Sequence, residues 1–144
     1  MKISFEVDLL MPPISNAISI LTDRAKICVN DIKYDEANGI VEIPIQRYAL
    51  TGFKKSSFGE TKPIYSQDTI RSLLTIRQVE EIKIKTDDRL VTDCNSCFTL
   101  LFGLKMEDNS LYLGSAEEAQ GNLLCQIFIK VRRMSIEISD NVEM

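Results

Sequence analysis

Strict alternation of apolar and polar residues is the feature that most constrains the fold of this 144-residue chain. It begins in "KISFEVDL", where Ile3, Phe5 and Val7 are separated by charged or hydroxyl residues. A period of two directs the apolar side chains to one face of a strand, whereas a helix needs a period near 3.6. The pattern returns in "ICVNDIKY", "IVEIPIQRY", "LLTIRQVEEIKIKT", "CFTLLFGLKM", "SLYLGS" and "LLCQIFIKVRRMSIEIS". The sequence therefore predicts a mainly β fold, α+β at most, with about seven to eight strands.

Short connections between most of these segments favour antiparallel pairing, which predicts a sandwich or open barrel. The length fits a single domain covering residues 1–144. One or two short helices are expected. One lies in "PISNAISILTD", and the other is a connector in "SAEEAQG", where Ser115 and Glu118 have capping-box spacing.

Two parts of the chain resemble each other, residues 25–88 and residues 97–140. Each reads as a hairpin followed by a connector and a long alternating strand. A shift of 52 positions aligns Val79, Ile82 and Ile84 with Val131, Met134 and Ile136. The alignment predicts an internal pseudo-repeat in which Ile84 and Ile136 occupy equivalent inward positions. The alternative is that alternation in any two hairpins produces such matches by chance.

Charge and hydropathy limit the partners. The net charge of −4 and the pI near 4.9 make nucleic-acid binding unlikely unless a local basic patch supplies it. Glu6 and Asp8 interrupt what would be the apolar part of a signal peptide. The uncharged stretch from Leu9 to Thr22 is 14 residues long, too short for a membrane span. We therefore expect a cytoplasmic protein that has no membrane partner.

The chain contains no histidine, so Ser-His-Asp catalysis, Cys-His catalysis and His-ligated metal sites are excluded. Cys94 and Cys97 form a CxxC motif, but a zinc site would also need Cys28 and Cys125, which lie in apolar runs. Buried or isolated thiols are the better interpretation. The sequence predicts no metal and no cofactor, and it leans against an enzyme.

Acidic residues form two groups, Asp31 with Asp35 and Glu36, and Asp87 with Asp88 and Asp93. Calcium loops need oxygen ligands at alternate positions, and Lys33 breaks that pattern in the first group. Both groups read as turn and surface acids.

Residues 49–68 have no apolar period and are rich in turn-forming residues, which predicts a long loop. Aromatic and basic residues are interleaved in it, and the candidate binding residues are Phe53, Lys54, Lys55, Phe58, Lys62 and Tyr65. Loops on rigid scaffolds often carry binding residues. The alternatives are that the rings only pin the loop to the sheet, or that they stack on single-stranded nucleic acid.

Because the sequence shows no recognisable catalytic, metal-binding or cofactor-binding motif, we expect a non-enzymatic protein-interaction module. Its partner would be another protein or a second copy of the chain. The alternative is a small-molecule-binding protein or atypical enzyme that uses carboxylates and Lys or Arg side chains in a pocket of the β fold.

Overall fold

A computed structural model describes residues 2–7, 18–55, 57, 59–86, 97–100, 103–107, 109–114 and 125–140. It confirms a mainly β protein built from antiparallel strands. The strands in chain order are β1 (Lys2–Val7), β2 (Lys26–Cys28), β3 (Lys33–Asp35), β4 (Ile40–Lys55), β5 (Thr61–Ile76), β6 (Val79–Thr86), β7 (Cys97–Thr99), β8 (Lys105–Glu107), β9 (Ser110–Gly114), β10 (Cys125–Val131) and β11 (Met134–Asp140).

These eleven strands outnumber the seven to eight expected from the sequence. The alternating segment "ICVNDIKY", residues 27–34, predicts a single strand, but it is divided by a short 3₁₀ helix, Val29–Asp31. The apolar positions change phase across this helix, from Ile27 and Val29 to Ile32 and Tyr34. The adjacent polar residues Asn30 and Asp31 are therefore a signal of the break that sequence reasoning missed.

The strands form two sheets. Sheet A has the order β1-β11-β5-β4-β2-β7, with β3 also paired to β4, and sheet B has the order β6-β10-β9-β8. Their inward residues form one hydrophobic cluster, as in a β-sandwich. It includes Ile27, Val41, Ile43, Ile45, Leu74, Ile76, Ile136 and Ile138 from sheet A, and Leu111, Leu113, Cys125, Ile127, Ile129 and Val131 from sheet B.

The described part of the first predicted helix is helical over residues 18–22. Thr22 Oγ1 donates to the carbonyl of Ile18 at 2.7 Å and accepts the Leu104 N–H at 2.8 Å. Gly103 has φ +74°, and a Cβ there would collide with the carbonyl oxygen of Ser19. The close approach of this helix to the chain before β8 therefore requires glycine. The connector predicted around Ser115 and Glu118 lies outside the described residues.

The hairpin expected in the first of the two similar parts is present around "DEANG", residues 35–39, because β3 pairs with β4 from Lys33 opposite Glu42 to Asp35 opposite Ile40. Asp35 accepts hydrogen bonds from the backbone N–H and the side-chain amide of Asn38, at 3.2 and 2.7 Å. These bonds hold the pKa of the exposed Asp35 carboxyl below its usual value. Gly39 adopts φ +63° and closes the turn.

The internal repeat remains a proposal, and the strand pairing supports it. The β4–β5 hairpin of the first unit is extended by β11 of the second, and the β9–β10 hairpin of the second is extended by β6 of the first. β2 and β7, which begin the two units, pair with each other. The prediction that Ile84 and Ile136 are equally buried is wrong, since Ile136 is 1% exposed and Ile84 is 40% exposed. The physical reason is that β1 pairs with the outer edge of β11, whereas no described strand covers the outer edge of β6.

None of the helices among the described residues is long and apolar enough to cross a membrane.

Candidate functional site

The outer half of the β4–β5 hairpin, residues 49–68, is the segment that the sequence singled out, and we call it the hairpin arm. The prediction of a loop is wrong for most of it, since residues 49–55 and 61–68 are strand. Two register shifts, between Tyr48 and Leu50 and between Leu50 and Gly52, change the phase of the alternation. Bulges of this kind hide the period of two in the sequence, which explains the error.

The hairpin arm extends beyond the rest of the sheet. The pairing of β4 with β2 reaches only to Gln46, and the pairing of β5 with β11 ends at Ser72. Beyond these points the two strands pair with each other and with no other described strand. Thr51 Oγ1 donates to the Ile64 carbonyl at 3.0 Å, which ties the two strands together at the bulge.

Tyr65 anchors the base of the hairpin arm. Its hydroxyl donates to the carbonyl of Ile20 in the helical segment at 2.8 Å. The Arg24 guanidinium carbon lies 5.5 Å from the centre of the Tyr65 ring and 5.7 Å from that of Tyr48, within range of a cation–π interaction. Burial, and next the carboxylate of Asp23, raise the pKa of Tyr65 above its usual value. Sequence reasoning named Tyr65 as a binding residue, but the contacts of Tyr65 are those of a structural anchor. The sequence analysis did not identify Arg24 and Tyr48 as partners of Tyr65.

The other described candidate residues lie nearer the tip and face solvent. Phe53 is 56% exposed, and Ile64, which sequence reasoning missed, is 42% exposed. Lys54 stands directly opposite Lys62, and Lys55 stands opposite Thr61. Phe58 lies outside the described residues. The structure therefore places these four residues near the tip, Lys54 and Lys62 on one face and Phe53 and Lys55 on the other, and Tyr65 apart from them at the base.

A second feature is an open groove of about 530 Å³ on the outward side of sheet A. Lys26, Lys33 and Arg71 meet there with Asp31 and Glu42. These charges come from β2, β3, β4, β5 and the 3₁₀ helix, so the groove exists only because distant segments pair.

Cys28, which also lines the groove, forms a disulfide with Cys97. The two residues are register partners in the β2–β7 pair. The prediction of buried or isolated thiols is wrong for this pair, because strand pairing between segments 69 residues apart leaves no local signal in the sequence.

Cys125 fits the prediction of a buried thiol, and burial raises its pKa to about 11. Cys94, the other half of the CxxC motif, lies outside the described residues, as do Asp87, Asp88 and Asp93. Within the described residues, Cys, Asp and Glu side chains form no cluster of three or more that could hold a metal ion.

Comparison of the chain with known protein families, with curated proteins and with solved structures gives no significant match.

Proposed function

We propose that this protein is a non-enzymatic protein-interaction module, and that its hairpin arm binds a partner protein presenting an acidic surface with apolar side chains. The observation that carries the proposal is the Lys54–Lys62 pair at the exposed tip.

Like charges directly opposite each other on neighbouring strands are destabilising. Replacing either lysine with an acid would create an attractive cross-strand pair, so folding alone gives no reason for this arrangement. Carboxylates of a partner would relieve the repulsion on binding. Electrostatic complementarity of this kind provides specificity and speeds association.

Apolar side chains accompany the lysines on both faces of the hairpin arm. Ile64, opposite Gly52, lies on the same face as Lys54 and Lys62, and Phe53 lies on the other face with Lys55. The space around Gly52 is open, so no described side chain covers that side of Ile64. Exposed aromatic groups that become buried on binding often dominate the energy of an interface.

The test is site-specific crosslinking followed by charge reversal. A photoreactive benzoylphenylalanine at position 53 should crosslink in the native host to a protein whose contact peptide is rich in Asp and Glu. The affinity of that purified partner is then measured for the wild type, for Lys54→Glu and for Phe53→Ser. Both substitutions should weaken binding at least tenfold. Raising salt to about 1 M, where the Debye length falls to ~3 Å, should weaken the wild-type complex as well.

Lys54→Glu separates binding from folding. It should leave the melting temperature unchanged or raise it, because it replaces a repulsive pair with an attractive one, worth roughly 0.2–1 kcal/mol. Arg77→Gln is the matched control, since Arg77 is an exposed cation whose partner is Glu137, away from the arm. A partner that binds Lys54→Glu as tightly as the wild type contradicts the proposal. A crosslink that forms only to a second copy of the chain would contradict a separate partner protein and would indicate self-association through the hairpin arm.

A small-molecule-binding function is the second candidate, and the groove on sheet A favours it. Three cations and two carboxylates converge there from separate elements, and the excess of positive charge suits a small organic anion. Arg71→Gln should abolish any thermal stabilisation by such a ligand, while Lys54→Glu should leave it intact. The opposite result would exclude the groove as the site.

The cytoplasmic location expected from the sequence is also kept as a proposal. The Cys28–Cys97 disulfide bears on it, because structural disulfides are rare in reducing compartments. The redox state of these two cysteines in the host therefore tests the location.

A further inference from the structure

The outward face of sheet B carries a row of residues that spans all four strands. Across β8, β9, β10 and β6 the row reads Lys105, Tyr112, Phe128, Lys83, each residue being the register partner of the next. Two aromatic rings are therefore flanked by a lysine at either end. The inward residues of the same strands, such as Leu111, belong to the core, so the row projects away from it.

The two rings contact each other and remain accessible. The centres of Tyr112 and Phe128 lie 5.1 Å apart with an interplanar angle of 48°, and Phe128 is 38% exposed. Gly114 follows Tyr112 by two residues on the same side of β9, and a Cβ at Gly114 would collide with the Tyr112 ring. The glycine lets that ring lie along the strand.

More lysines surround the rings. Lys85 Nζ lies 5.7 Å from the centre of the Phe128 ring, and Lys130 lies on the same side of β10 as Phe128. We call these six residues the basic face: Lys83, Lys85, Lys105, Tyr112, Phe128 and Lys130. Glu81, 3.5 Å from Lys83, and Glu107 are the described carboxylates on this side of the sheet, so lysines outnumber acids by four to two.

A shallow depression lies on each side of Phe128. One, of about 480 Å³, is lined by Lys105 and Tyr112, and the other, of about 370 Å³, is lined by Lys83, Lys85 and Lys130. Both include Phe128. A planar group on either side of this ring would have a cation within reach.

We propose that the basic face binds single-stranded nucleic acid, with bases stacked on Phe128 and Tyr112 and phosphates bound by Lys83, Lys85 and Lys130. Rings on an open sheet stack successive bases, and lysines around them neutralise the backbone. The net negative charge of the chain argues against general affinity for polyanions. This face is the local basic patch that such binding requires. An acidic peptide would find the charges here but no deep apolar pocket to hold its side chains.

The test is fluorescence anisotropy with labelled oligothymidylate and oligouridylate of about 12 nucleotides, within the ~4–16 nucleotides typical of a single binding module. Both should bind at low salt, and a duplex of equal length should bind more weakly. Contacts from three lysines predict a slope of log K against log salt of about −2. A difference between the two probes assigns DNA or RNA as the preferred source of the shared chemistry.

Phe128→Leu keeps an apolar side chain on β10 and removes the π face. It should weaken binding about 5-fold to 150-fold, the range for loss of one stacked base. Lys85→Gln and Lys130→Gln should each weaken binding and reduce the salt slope by about 0.7. Arg77→Gln, which removes an exposed charge at the β5–β6 connection, should bind as the wild type does.

Three results would overturn the proposal: no binding of either probe at low salt, unchanged affinity in folded Phe128→Leu, or an equal loss in Arg77→Gln. Competition by polyglutamate as effective as that by oligothymidylate would also overturn it, since the surface would then recognise charge alone. If Phe128→Leu does not fold, the two lysine variants and the salt slope decide the matter. None of the variants in these measurements changes a residue of the hairpin arm, so their outcome can be told apart from that of the proposed protein partner.

Discussion

Arg47 and Asp140 form a buried two-point ion pair between strands of sheet A that are not neighbours. Arg47 Nη2 lies 2.9 and 2.7 Å from the two carboxylate oxygens, and Nε lies 3.3 Å from Oδ1. Ser72, on the intervening strand, donates to Oδ1 at 2.6 Å and accepts from Arg47 Nε at 3.1 Å. The two charged side chains are only 2% and 5% exposed. The network therefore joins β4, β5 and β11 where the hairpin arm leaves the sheet.

Removing one charge of this pair should destabilise the protein strongly. Asp140→Asn leaves the Arg47 guanidinium buried without its counter-charge, and we expect a loss of about 3–5 kcal/mol in the free energy of unfolding, measured by urea denaturation. The double variant Arg47→Met with Asp140→Leu should be far closer to the wild type, because neither charge is then buried. A loss below about 1 kcal/mol in Asp140→Asn would contradict this account.

The cysteines give a second prediction. In protein prepared without reductant and then unfolded, Cys28 and Cys97 should resist alkylation and should label only after reduction, as read by peptide mass spectrometry. Labelling of both without reduction, in protein taken directly from the host, would show that the disulfide is absent there. That outcome would support the cytoplasmic location.

Cys125 is predicted to be unreactive in the folded protein. The thiolate is the reactive form, and a pKa of about 11 keeps this thiol protonated near pH 8. A chromogenic disulfide reagent should therefore modify Cys125 only as fast as the protein opens, and immediately in denaturant. The pKa of this thiol is higher in the folded protein than in the unfolded chain, so its contribution to the free energy of unfolding is complete below the unfolded pKa of ~8.5. Above that pH the unfolded chain ionises first, and the contribution declines until the folded form also ionises. A rate near that of a free thiol at pH 8 would contradict the burial.

Elements with an undisturbed period of two could be predicted from the sequence, and others could not. The β10 strand has apolar residues at every second position from Cys125 to Val131, and this period indicates both the strand and its inward face. The outer parts of β4 and β5 could not be recognised, because register shifts around Leu50 change the phase. The interactions that need distant strands, Arg47 with Asp140 and Cys28 with Cys97, depend on pairing that no local pattern specifies. Tyr112 and Phe128 could have been found from alternation, since each occupies a position where a polar residue is expected.

Tyr65 should hold the hairpin arm to the helical segment. Tyr65→Phe removes the hydrogen bond to the Ile20 carbonyl and should cost roughly 0.5–1.5 kcal/mol. Tyr34→Phe is the control, because the Tyr34 hydroxyl makes no hydrogen bond to another described residue. The raised pKa of Tyr65 means that its contribution is full below the unfolded value of about 10 and is lost as pH rises through the folded value. The difference between Tyr65→Phe and the wild type should therefore shrink in alkaline solution; a constant difference would rule out this role for the hydroxyl.

The proposed internal repeat predicts that equivalent strands respond alike wherever their surroundings are alike. Leu74 on β5 and Ile127 on β10 are each fully buried. Each also has a register partner on both sides. The partners of Leu74 are Ile43 and Ile138, and those of Ile127 are Leu113 and Ile84. Leu74→Ala and Ile127→Ala should both cost roughly 2–5 kcal/mol, as measured by chemical denaturation. Ile136→Ala should fall in the same range, whereas Ile84→Ala should cost less, because β1 covers the edge of β11 and no described strand covers that of β6. Equal losses at Ile84 and Ile136 would contradict this explanation of the asymmetry.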